Sequence, residues 1–213
     1  MHRNLHVGSR VLIDVMSLNM TPGMAHPQLP AVTYGNVFEQ FNRTVHHLGQ
    51  NIPATATDPA YEPVVLNAPD PNPARNFIWL PYHPGRVTLV RFQPDISILT
   101  GWMSGCWLAL VQVNGVEYFA HVGTDDNPNH PNTLAVKNGI KLAIGTSALS
   151  VLQAFQPVCP TSVKRIGVIS PSRNFYTLGV TPCPPSITAP GTLKSHIDSK
   201  TRVPPAPSLP YGY

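Results

Sequence analysis

Apolar and polar positions between residues 106 and 123 alternate on either side of one turn dipeptide, and no other stretch fixes as much local structure. Trp107–Val113 and Val116–Val122 are rich in β-branched and aromatic residues and are separated by Asn114-Gly115, the preferred pair for a two-residue type I′ turn. A tight turn sets the register. Val113 opposes Val116, Gln112 opposes Glu117, Leu110 opposes Phe119, Leu108 opposes His121 and Cys106 opposes Gly123. Side chains on strands alternate faces. Trp107, Ala109, Val111, Val113, Val116, Tyr118, Ala120 and Val122 therefore form one apolar face expected to be core, while Cys106, Leu108, His121 and Gly123 share the other.

Elsewhere the pattern is less regular. Residues 5–18 read as a strand or a short helix. From Thr33 to Leu48 the spacing of Val37, Phe38, Phe41, Val45 and Leu48 favours a helix. Residues 51–75 hold six prolines and read as an extended surface connection. Strands are expected near 76–81, 86–92 and 96–100, and again at 163–169 and 174–180. Asn132 or Thr133 is placed to cap a helix reaching about Ala143, and Thr146 or Ser147 a second one reaching about Phe155. From about Thr181, Pro, Ser and Thr take over. The reading is a single domain over 1–190 with a Pro-rich tail over 191–213. The fold class expected is α+β, a mixed β-sheet sandwich flanked by helices.

The hairpin carries the candidate chemistry. Cys106 and His121 are diagonal neighbours on one face, with Cβ atoms about 7–8 Å apart in an antiparallel pair. A free thiol is a potent nucleophile once an adjacent imidazole takes its proton, leaving a thiolate–imidazolium pair in a partly exposed site. Gly105 lets a substrate backbone or oxyanion approach closely. Backbone N–H groups around Ser104, Gly105 and Cys106 would stabilise a tetrahedral oxyanion. For a third group that orients the imidazole, the residues nominate Asp125 or Asp126, just past the His121 strand. Against all this, a Cys at a strand start is by composition more often a small buried hydrophobe, and Asp residues in Thr-Asp-Asp-Asn-Pro are commonly solvated loop charges.

Thr100, Ser104-Gly105-Cys106 and the strand-borne His121, with Ile78-Trp79-Leu80-Pro81 and Gly85 upstream, resemble the active-site pattern of the cytotoxic necrotizing factor-type glutamine deamidase toxins. The similarity is nearest to the Burkholderia lethal factor branch and more distant to the bacterial chemoreceptor deamidases of the CheD type. It covers roughly residues 77–123. Trp102 and Met103 depart from the pattern beside Ser104 and bear on substrate preference. The resemblance implies a layered deamidase fold and a hydrolase that converts a target glutamine to glutamate through Cys106 and His121. It implies Thr100 or a main-chain carbonyl as the orienting group. It further implies a toxin or effector acting on a host protein, either a small Rho-type GTPase or a translation-initiation RNA helicase.

Composition changes this picture little. Charged residues are 11% of the chain against about 25% in ordinary domains, and the 25 prolines require many loops. Residues 1–136 contain six Arg, no Lys and nine acids, whereas residues 137–213 contain eight Lys or Arg and one acid, Asp198. The basic half could steer the protein to an acidic partner surface. Its charges are scattered singly apart from Lys164-Arg165, so no direct nucleic-acid binding is expected. Cys159 and Cys183 could pair in an oxidising compartment, and no short-spaced Cys or His set suggests a metal. No cofactor is expected. The first residues show no signal-peptide core or membrane span, so secretion or delivery into a host cell would use a route without a cleaved leader. A monomer is expected. Two alternatives stay open: a transglutaminase or cysteine protease on the same pair, and a non-catalytic module binding through Pro-x-x-Pro spacing at Pro204, Pro207 and Pro210.

Overall fold

Two β-sheets face each other across a layer of apolar side chains, and the hairpin read from the sequence lies in the smaller one. The computed structural model describes residues 5, 7, 10–13, 23–48, 62–65, 71–103, 106–125, 127–157, 164–182, 193–206 and 209. The strands are β1 Arg10–Ile13, β2 Met24–Ala25, β3 Phe38–Phe41, β4 Val45–Leu48, β5 Glu62–Val65, β6 Asn76–Pro81 and β7 Val87–Arg91. They continue as β8 Ser97–Met103, β9 Trp107–Val113, β10 Val116–Val122, β11 Ser150–Phe155, β12 Lys164–Ile169, β13 Phe175–Pro182 and β14 Leu193–Val203. Two helices, α1 Ala31–Tyr34 and α2 Pro131–Gly145, and one 3-10 turn at Pro73–Arg75 complete the described elements.

One sheet has the order β11-β9-β10-β7-β3-β2. The other runs β1-β14-β13-β12-β8-β6-β4-β5 and curls until β5 meets β1, through Val11↔Glu62 and Leu12↔Pro63. Three apolar layers follow. Trp107, Ala109, Val111, Tyr118 and Ala120 pack with Val136, Ile140 and Ala143 of α2. Ile78, Leu80, Ile98, Leu108, Leu110 and Phe119 fill the space between the sheets. Phe77, Trp79, Leu99, Ile166, Val168 and Ile197 lie on the far face of the eight-stranded sheet. The architecture is mixed α+β with few helices. Among the described residues no helix is long and apolar enough to cross a membrane.

The hairpin has the expected register, with Val113↔Val116 and Leu108↔His121. Its turn residues take positive φ, 47° at Asn114 and 79° at Gly115, as a type I′ turn requires. The strands expected near 76–81, 86–92, 96–100, 163–169 and 174–180 are present as β6, β7, β8, β12 and β13.

Four readings are corrected. The Thr33 to Leu48 stretch is not one helix, because α1 stops at Gly35, whose φ of 72° caps it, and β3 and β4 follow. Phe38 and Phe41 sit on opposite faces of β3, one against the helical layer and one between the sheets. A strand covered on both sides can thus mimic helical spacing. For the same reason Ser150–Phe155 is β11 rather than a second helix: Ala154 and Phe155 enter different layers. Its predecessor α2 is capped by His130, whose Nδ1 accepts from Asn132 N–H, with Pro131 at the first position. The Pro-rich connection over 51–75 contains β5. The supposed tail over 191–213 contains β14, the longest of the described strands. Beyond it Ala206 N–H donates to Ala154 O at 2.7 Å, and Leu209 is buried in the helical layer. β14 escaped notice because its sequence is mostly polar, Ile197 being its buried apolar residue among those whose burial is described.

Candidate active site

Five strands, β6 and β8 of one sheet and β7, β9 and β10 of the other, bring the hairpin face together with the end of β6. β6 and β8 are parallel, with Leu80 beside Thr100. Across the gap between the sheets, β10 places His121 beside Leu108 on one side and Thr88 of β7 on the other. Thr100 and His121 are both wholly buried.

Their contact determines the imidazole's tautomer. The Thr100 hydroxyl has one hydrogen and lies 2.7 Å from the Leu80 carbonyl oxygen and 2.6 Å from His121 Nδ1. A carbonyl only accepts, so the hydroxyl donates to Leu80 and receives Nδ1–H from His121. Nε2 is then the basic nitrogen. It is buried with no partner among the described residues, a costly state for a polar atom in a core. The Tyr82 ring lies 5.1 Å from the imidazole, tilted by 38°. Burial lowers the His121 pKa from 6.5 to about 3.

Cys106 immediately precedes β9 and, by continuation of the register, opposes Gly123. It is 4% exposed and belongs to the layer between the sheets. Its Sγ donates to Thr124 O at 3.8 Å. The sequence led us to expect a partly exposed thiolate–imidazolium pair. The burial of both residues corrects this: a low-dielectric pocket disfavours charge separation, and burial holds the imidazole neutral.

Of the other named residues, Asp125 faces away from this chemistry. Its N–H donates to Thr133 Oγ1 at 2.9 Å, and its carboxylate lies 3.0 Å from His130 Nδ1. Asn132 N–H points at the same Nδ1 from 3.3 Å, so the contact with Asp125 uses Nδ1 as a donor and the helix cap uses it as an acceptor. Thr100, rather than Asp125, is the group bonded to His121. Ser104, Gly105 and Asp126, and with them the expected oxyanion pocket, lie outside the described residues, as do Cys159, Cys183, Pro207 and Pro210. Three contributors went unread in the sequence: the Leu80 carbonyl, the Thr124 carbonyl and the Tyr82 ring as a cover on His121.

Loop 82–86 closes the end of the site. Gly85 N–H donates to Gly123 O, and Gly123 N–H donates to Arg86 O, both at 2.8 Å. A Cβ at Gly123 would overlap the His83 carbonyl oxygen, so glycine opposite Cys106 is a steric requirement of this loop. Beside it, Glu39 holds His83 Nδ1 at 2.6 Å and Arg86 Nε at 3.3 Å.

Comparison with family models, with curated proteins and with solved structures finds no match to this chain.

Proposed function

We propose that this chain is a protein glutamine deamidase. The observation that carries the reading is the buried, unpartnered Nε2 of His121, with its tautomer set by Thr100, on the sheet face shared with Cys106. His121 Nε2 takes the proton of Cys106 as the sulfur attacks the side-chain carbonyl carbon of a target glutamine. The oxyanion is stabilised by backbone N–H groups of Ser104, Gly105 and Cys106. The imidazolium returns its proton to the departing nitrogen, ammonia leaves, and a thioester remains. Water, deprotonated by His121, then releases glutamate and the free thiol. Thr100 is a positioning residue, since it acts through the imidazole. The target is a host protein, a Rho-type GTPase or a translation-initiation helicase, reached as a secreted or delivered effector.

Incubation with host-cell lysate followed by peptide mass spectrometry tests this. The expected result is a gain of about one mass unit at a single glutamine, absent with Cys106→Ala and with His121→Gln, because the thiolate route needs both groups. New peptide termini would assign the pair to a protease, and amine adducts to a transglutaminase. The 4% exposure of Cys106 and its contact with Thr124 O favour a second reading, in which the thiol is a core residue. Alkylation rates separate the two. A catalytic thiol is labelled in the folded protein; a core thiol is labelled only on unfolding.

A further inference from the structure

Away from the thiol, the edge strand β11 and the turn between β12 and β13 enclose a groove of about 590 Å3 that opens to solvent. Phe155 and Phe175 stack to form its floor. Phe155 opposes Leu108, which opposes His121, so the floor lies two strands, roughly 10 Å, from the imidazole. Arg173 and Arg202 stand at the rim, and no Asp or Glu is among the residues that line the groove.

Both guanidiniums are held in place. Arg173 Nη2 donates to the two carboxylate oxygens of Glu117 at 2.8 and 2.7 Å, an exposed pair that occupies one of its three nitrogens. Arg202 Nη2 donates to Asn174 Oδ1 at 2.6 Å and has no carboxylate partner among the described residues. Gln153 Oε1, on the same groove, is buried with no hydrogen-bond partner. The opposite wall is Pro204-Pro205, pinned by the bond from Ala206 N–H to Ala154 O. The groove therefore offers an aromatic floor, one uncompensated positive charge, a second guanidinium with open donors, and one acceptor awaiting a donor. A volume of this order suits a bound side chain with its flanking backbone.

We infer that this groove binds an acidic peptide segment of a partner protein. An apolar side chain lies on Phe155 and Phe175, a neighbouring carboxylate pairs with Arg202 and the open edge of Arg173, and a peptide N–H donates to Gln153 Oε1. Planar guanidiniums favour carboxylates through paired hydrogen bonds. The basic half of the chain, which the thiol chemistry does not use, supplies both arginines. This binding is independent of the deamidase reading, because no catalytic residue lines the groove.

The test titrates the full chain carrying Cys106→Ala, which cannot turn over, with the capped peptide acetyl-Asp-Phe-Glu-Phe-Asp-amide by calorimetry. The control is the same peptide with lysine in place of each acid. We expect saturable binding of the acidic peptide that weakens with added salt, and none of the lysine peptide. Arg202→Gln should weaken binding about tenfold, and adding Arg173→Gln should weaken it further, with melting temperatures unchanged within a few degrees. Equal binding of the two peptides, or equal affinity in the double variant and its parent, overturns the proposal. The peptide comparison needs no groove variant, so it stands even if one folds poorly.

Discussion

Replacing His121 by Gln tests whether the resting imidazole is neutral, and the pH dependence of stability carries the answer. Burial lowers the folded-state pKa of His121 from 6.5 to about 3. As pH falls through 6.5 the unfolded chain takes a proton at this residue while the folded chain refuses it until near 3. The unfolded state therefore binds more protons in that window, and acid favours it. From His121 alone the protein loses about 1.4 kcal/mol per pH unit below 6.5, or about 3 kcal/mol by pH 4. Above pH 7 the contribution is complete and flat. The other acid-sensitive groups, including His26 and His46, whose pKa values burial also lowers, are common to both proteins and cancel in the difference.

Urea unfolding followed by tryptophan fluorescence at pH 7.5, 6, 5 and 4 measures that difference. At pH 7.5 the native protein should be the more stable, by the Thr100 contact and the packing of the ring. Its advantage should shrink steadily below pH 6.5 and reverse if those contacts are worth less than about 3 kcal/mol. Parallel curves would refute the neutral buried imidazole. A native advantage that grows in acid would refute it more pointedly, since that would require a folded imidazolium stabilised by a resting Cys106 thiolate.

Other expectations follow from the same geometry. Thr100→Val leaves the Leu80 carbonyl and the His121 Nδ1–H without their partner, and should cost about 2–4 kcal/mol in urea unfolding. Under the deamidase reading it should also lower turnover by about a hundredfold, with Thr100→Ser restoring most of both. Gly123→Ala drives a Cβ against the main chain of loop 82–86, at the His83 oxygen and 3.0 Å from the Arg86 oxygen. Backbone cannot give way cheaply, so a loss of about 1–3 kcal/mol is expected, with faster hydrogen exchange at the Gly85 amide. Gly115→Ala meets no atoms but sits at φ 79°; it should lose about 1 kcal/mol through backbone strain, lower the melting temperature by about 2–4 °C, and leave any activity intact.

The chain states its local geometry openly and its layering poorly. Asn114-Gly115 set the hairpin register without any tertiary information, and that register alone put Cys106 and His121 on one face. The Thr100 contact is different in kind. It depends on a parallel pairing of β6 with β8, residues separated by twenty positions, and only the resemblance pointed to it. The errors share one cause. β3 is covered on both faces, and β11 is buried on both faces at Ala154 and Phe155, so their apolar residues lose the alternation that marks a half-exposed strand. β14 fails the opposite way, offering polar residues where few side chains meet the core.

The same layering explains why the residues placed Cys106 and His121 on one face but misjudged their electrostatics. A hairpin face bearing Cys, Leu, His and Gly looks half-exposed when its own composition is all there is to read. Its burial comes from the second sheet, in which β8 lies just ahead of the hairpin in sequence but across the gap in space, with Ile98 in the layer between the sheets and Thr100 bonded to His121 of β10. Closing that sheet over the face removes water from His121, and water is what would make a resting ion pair affordable. Under the deamidase reading, the thiol then surrenders its proton only as a carbonyl carbon arrives to take up the sulfur's charge. In that arrangement His121 is a base for the bound substrate and a poor activator of the empty site. The alkylation rate of Cys106 in the folded protein should accordingly be little changed by His121→Gln, whereas an ion-paired cysteine would be labelled more slowly once its imidazole is removed.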